Sequence, residues 1–94
     1  MGAMRLQYKL QFNKRYVKDL EKIPLPFRKI IREKVESLSS NPRPEGCTKL
    51  QGSKKVPLYR IRAGDYRVVY AIYDDTLVIL VIEVGHRKEI YRDL

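Results

Sequence analysis

The sequence predicts an α+β domain, a small, twisted, mostly antiparallel sheet with an N-terminal helical hairpin packed on one face, in the order β-α-α-β-β-β. Three observations carry that expectation. Residues 5–12 alternate between apolar and polar with a period of two. Residues 14–38 switch to helical spacing, broken once by Pro24 and Pro26. Residues 58–84 hold three runs rich in β-branched and aromatic residues, separated by Gly64-Asp65 and Asp74-Asp75.

Each element follows from its residues. Leu6, Tyr8, Leu10 and Phe12 fall on one side of the first strand, and Arg5, Gln7, Lys9 and Gln11 on the other. Asn13 is a ready N-cap for a helix whose inner row is Tyr16, Val17, Leu20 and Ile23. Lys14, Arg15, Lys18 and Lys22 fall on its wet side. The two prolines stop that helix and open the next, with Phe27, Ile30, Ile31, Val35 and Leu38 as its apolar face. The connection is short enough to make the pair an antiparallel hairpin. Residues 39–46, SSNPRPEG, are turn chemistry. Lys49-Leu50-x-Gly52 reads as a packed turn anchored by one leucine. Residues 58–63, 66–73 and 76–84 are then strands, the last apolar on both faces except at Glu83 and therefore central.

Length and charge bound the function. The chain has 94 residues, enough for one domain, which we place at residues 4–94, with Met1-Gly2-Ala3 as a remnant ahead of a more natural start at Met4. The longest apolar run, Leu77 to Ile82, is strand length, so no membrane partner is expected. No signal peptide is apparent, and the lone Cys47 forms no internal disulfide, which suits a reducing, cytoplasmic setting. One His and one Cys do not build an ordinary structural zinc site, and no cofactor is expected. The net charge of +9 points to a polyanionic partner. All of that excess lies in residues 1–58; residues 59–94 are balanced.

The polar residues of the strands suggest a site. Alternation puts Arg60, Arg62 and Arg67 on the sheet face away from the helices, where Glu83 and Arg87 have matching parity. Guanidiniums gathered in one concavity imply an anionic ligand or a carboxylate partner; the plain alternative is a wet face laced with ion pairs. His86 is the one side chain here whose ordinary pKa, about 6.5, suits proton transfer near neutrality, although a His in a polar tail is commonly just a surface residue. Tyr91 could stack, supply a phenol, or simply pack. Lys14, Lys18, Lys22, Lys29, Lys54 and Lys55 could grip a phosphate backbone or only water.

Leu58-Tyr59-Arg60-Ile61-Arg62-Ala63-Gly64-Asp65-Tyr66-Arg67-Val68-Val69-Tyr70, with Val84-Gly85-His86-Arg87-x-x-Ile90-Tyr91 after it, resembles the RelE/ParE toxin superfamily. The resemblance covers the chain from Met4 onward and is stronger for the superfamily than for a subfamily. It implies a toxin of a type II toxin–antitoxin pair. RelE-like members cleave mRNA in the ribosomal A site without a metal; ParE-like members poison DNA gyrase. It further implies that Arg60, Arg62, Arg67, Arg87 and Tyr91 match the residues RelE enzymes use. Arg60 and Arg62 stand where the best-known RelE carries lysine. Arginine is effectively always protonated, so these two suit anion binding and not general base catalysis.

The implied chemistry is in-line attack of a ribose 2′-oxygen on the adjacent phosphorus. Arginines would stabilise the charge on the non-bridging oxygens, and His86 or Tyr91 would handle a proton. The implied partners are the ribosome, mRNA, and a RelB-like antitoxin whose acidic or amphipathic segment covers the arginine face. Two other readings stand beside this one: a gyrase-directed binding toxin, and a nucleic-acid-binding relative with a degraded site.

Overall fold

The computed structural model describes residues 7–50 and 56–86. Strand β1 (Lys9–Phe12) leads straight into helix α1 (Lys14–Glu21). Asn13 between them is extended, and its Oδ1 accepts the Arg15 backbone N–H at 2.9 Å, so the N-cap falls where the sequence puts it. Pro24 caps helix α2 (Leu25–Ser37), whose Pro26 sits in the first turn, where no N–H is needed. Arg28 joins the hairpin: its guanidinium donates to the carbonyls of Ile23 at 2.6 Å and Glu21 at 2.7 Å, carbonyls that the end of α1 leaves without helical partners.

The sheet has five strands in the order β1-β5-β4-β3-β2, with β2 at Thr48–Lys49, β3 at Leu58–Ala63, β4 at Tyr66–Tyr73 and β5 at Val78–His86. β1 runs parallel to β5 and the other pairs are antiparallel. The last strand is interior, between β1 and β4, but the middle strand, buried on both faces, is β4; β5 is buried on alternate residues only. Gly64 and Asp65 form the two-residue β3–β4 turn, and Gly64 takes φ +64°, which the first position of such a loop requires.

Four expectations need correction. The turn read at Lys49-Leu50 contains the edge strand β2, whose two residues pair with Tyr59 and Arg60 and are too few to show alternation. β1 begins at Lys9, not at residue 5; residues 5 and 6 lie outside the described part. β5 starts and ends two residues later than the pattern implied, because Leu77 adopts φ +55° in the turn, where its carbonyl accepts the Lys9 N–H at 2.8 Å. Last, Phe12, Val17, Phe27 and Ile30, read as inward-facing, are 44–48% exposed. The residues of the hairpin that reach the core are Tyr16, Ile23, Ile31, Val35 and Leu38, all at 6% exposure or less.

α1 packs along β5, while α2 lies over β3 and β4. Between them and the sheet sit Tyr16, Ile61, Val68, Tyr70, Ile79 and Val81, all buried. A β-bulge falls opposite Val69 and Tyr70, so Ile82 is the extra residue of β5. The bulge resets the alternation of β5. Val81 and Val84 both face the core, and Glu83 returns to the opposite face beside Val69.

Candidate active site

Register builds the site. Across three strands, Arg60, Val69 and Glu83 stand opposite one another, and the next row is Arg62, Arg67 and Gly85. Alternation points Arg60, Arg62, Arg67 and Val69 away from the helices, as the sequence implied, while Glu83 stands on β5 within reach of α1. The three arginines differ in environment. Arg62 is exposed and donates from Nε to the Gly64 carbonyl at 3.4 Å, Arg60 is half-buried, and Arg67 is only 9% exposed. Arg67 is thus closed off from solvent, unlike a residue of the wet face that was the plain alternative. Its neighbours on that face, Val69 and Ala71, are 2% and 1% exposed, so Arg67 rises from an apolar floor. A guanidinium there is poorly hydrated, which strengthens its pull on an anion.

Glu83 was expected to serve the arginine cluster from within the sheet. Its Oε1 lies 2.9 Å from Arg15 Nη2 of α1, and its side chain is 15% exposed. One turn along, Asp19 Oδ2 accepts the Val84 N–H at 3.4 Å and lies 4.0 Å from Arg15 Nε. Arg15 and Asp19 therefore staple α1 to β5 beside the arginine rows. Sequence reasoning assigned Arg15 to the wet side of the helix; the available signal was Asp19, an acid four residues on in an otherwise basic stretch.

His86 ends β5 opposite Tyr66, one residue beyond the Arg67 row and on the helical side of the sheet. Its ring meets the Tyr66 ring edge-on at 5.9 Å, and Tyr66 in turn lies 5.8 Å from Phe27. The sheet therefore separates the imidazole from Arg60, Arg62 and Arg67 by side, and what they share is the rim at the end of the strands. Lys14, Lys18, Lys22 and Lys29 are exposed on the two helices. Arg87, Tyr91, Lys54 and Lys55 lie outside the described residues. Among the described residues, no three His, Cys, Asp or Glu side chains gather as metal ligands would.

The strongly perturbed titratable groups sit at the opposite end of β4. Asp74, in the β4–β5 turn, accepts from Tyr8 Oη at 2.7 Å and from Arg43 Nη2 at 2.8 Å. The Arg43 hydrogen bond, then that from Tyr8, holds the Asp74 carboxyl below the usual carboxylate range. The same bond raises the Tyr8 phenol. Arg43 also donates to Tyr59 Oη at 3.1 Å, with its guanidinium 5.3 Å from that ring. Tyr70 donates to the Pro42 carbonyl at 2.7 Å; burial, then proximity to Cys47, pushes its phenol up. This network ties the start of β1, the loop after α2 and the β4–β5 turn together, and we assign it to the scaffold.

A two-layer α+β toxin fold carrying a row of arginines on its sheet is the class that these features define. The chain belongs to the ParE toxin family of type II toxin–antitoxin systems (parDE), whose model matches residues 10–91. It is 31% identical over 90 residues to the mRNA interferase toxin RelE of Escherichia coli, covering 94% of each chain. It is 38% identical over 87 residues to toxin RelE3 of Methanocaldococcus jannaschii, covering 88% of this chain and 94% of the relative. Among solved structures it is similar to the archaeal RelE–RelB complex of Pyrococcus horikoshii, with a TM-score of 0.76 and 31% identity over 86% of this chain and 96% of that one. No helix among the described residues is long and apolar enough to cross a membrane.

Proposed function

We propose that this toxin is a ribosome-dependent endoribonuclease that cleaves mRNA in the cytoplasm. The observation that carries the reading is the pairing of Arg62 with Arg67 across β3 and β4, one row from Arg60, on the sheet face turned away from the helices. A phosphodiester laid on that face meets fork-shaped donors suited to its non-bridging oxygens. The similarity to RelE toxins at 31–38% identity supports the same chemistry.

In this reading the 2′-oxygen loses its proton and forms a bond to phosphorus. The bond from phosphorus to the 5′-oxygen breaks, and that oxygen takes up a proton. The products are a 2′,3′-cyclic phosphate and a 5′-hydroxyl. Arg60, Arg62, Arg67 and Arg87 hold the anionic transition state, and His86 or Tyr91 moves the proton. Lys14, Lys18, Lys22, Lys29, Lys54 and Lys55 grip ribosomal RNA, and no step uses a metal. A RelB-like antitoxin with an acidic or amphipathic segment covers the arginine face; the solved RelE–RelB complex supports such a partner. Co-expression with the neighbouring open reading frame then relieves toxicity.

The match to the ParE family model favours one second reading, inhibition of DNA gyrase by binding alone. Primer extension on translated mRNA, run beside a gyrase supercoiling assay, separates the two. New 5′ ends within codons on ribosomes, with supercoiling untouched, support the nuclease. The converse result establishes the gyrase toxin.

A further inference from the structure

We propose that Phe27 and Tyr66 form a nucleobase platform on which a base of single-stranded RNA stacks, across the strand ends from the arginine rows. The proposal rests on the nuclease reading above and supplies what that reading lacks, a contact to a base. Phe27 from α2, Tyr66 from β4 and His86 from β5 make a continuous row of three rings, with centroids 5.8 and 5.9 Å apart. The core is complete without its outer members. Phe27 is 45% exposed and His86 is exposed, so both ends of the row offer ring surface to solvent. Three elements converge to hold these rings, which distinguishes the row from an isolated surface aromatic.

Register brings the rings and the arginines to the same end of the strands, on opposite sides of one rim. Ala63, Tyr66 and His86 stand opposite one another, and the next row inward is Arg62, Arg67 and Gly85. One strand residue separates the rows, a rise of about 3.4 Å. A single strand whose phosphate lies on the arginine side therefore crosses the rim to lay a nearby base on Tyr66 and Phe27. The charge around the rings favours that occupant. Lys22, Arg28 and Lys29 lie close to Phe27 in the chain and Arg62 close to Tyr66, against one nearby acid, Asp65. Aromatic platforms beside cations are how single strands are held without reading their sequence, because every base has a π-face.

The test uses a hexanucleotide carrying 2′-O-methyl groups, which 2′-oxygen attack cannot cut, and an abasic analogue of equal length and charge. Affinities are measured by fluorescence anisotropy at low salt. The intact protein should bind the base-bearing probe about tenfold more tightly than the abasic one. Phe27→Ala should erase that preference and leave abasic binding unchanged. The chain has no tryptophan, so Phe27→Trp supplies a single indole reporter. Its emission should be quenched by the base-bearing probe and not by the abasic one. No preference in the intact protein, or a preference that survives Phe27→Ala, overturns the platform. So does a Phe27→Ala variant that loosens the hold of a co-purified antitoxin while keeping the preference for bases, since the patch is then a protein-docking surface. Base-dependent binding without any cleavage on ribosomes supports the platform and defeats the nuclease reading alone.

Discussion

Arg67 occupies the most consequential single position. In the proposed nuclease, replacing it with alanine removes a transition-state donor, and cleavage on ribosomes should fall on the order of 10²–10³-fold. Arg67→Lys keeps the charge and loses the fork, so it should recover only part of that loss. Because Arg67 is 9% exposed and sits beside Val69 and Ala71, the same variants must be melted; activity lost without a matching fall in Tm is the expected result. The side of the sheet on which Arg60, Arg62 and Arg67 stand was legible from alternation alone. The burial of Arg67 was not, since it depends on how closely the strands bring apolar neighbours around it. Gly64 offers a cleaner case. Its φ of +64° was foreseeable from a two-residue loop between alternating strands, and a Cβ there meets nothing within 4 Å. Gly64→Ala should therefore destabilise by backbone strain alone, about 1–2 kcal/mol in a denaturant titration, with the core intact.

At the scale of elements, the clasp of Tyr8, Arg43 and Asp74 should make the loop ends sensitive to acid. The Asp74 carboxyl is held below its ordinary range in the folded protein. Its contribution is present above the unfolded carboxylate pKa, about 3.9, and is lost as pH falls through the lower folded value. Thermal melts of the wild type should lose stability on acidification below about pH 4. Asp74→Asn should flatten that part of the profile, and an unchanged acid limb would show that the clasp carries none of it. Helices and hairpin strands were readable because the periods of 3.6 and 2 are local. The pairing of β1 with β5 was not, because residues 9 and 78 share no local pattern. The ion pair of Arg15 with Glu83 was hidden for the same reason: Arg15 reads as a helix-surface charge and Glu83 as a carboxylate for the sheet arginines until α1 is laid along β5.

The whole molecule is a strong cation whose charge excess lies in the first 58 residues. Affinity for ribosomes should fall steeply as salt rises, with log K linear in log salt, as condensed counterions are displaced. Reversing charges among the exposed Lys14, Lys18, Lys22 and Lys29 should lower that slope by about one for each phosphate no longer neutralised, and the positions of the cuts should not move. A mutant with unaltered affinity would locate the RNA-binding surface elsewhere. The topology carries a further consequence. Of the described strands β5 is made last, yet it lies between β1 and β4 in the sheet. During synthesis β1 has no partner until residues 78–81 have left the ribosome, and Arg67 lacks its neighbour Gly85 for longer still. The cationic helices are thus in solution well before the arginine rows exist. Vectorial translation therefore orders assembly, with the cationic helices formed first and the arginine face, which the proposed nuclease would use, completed last.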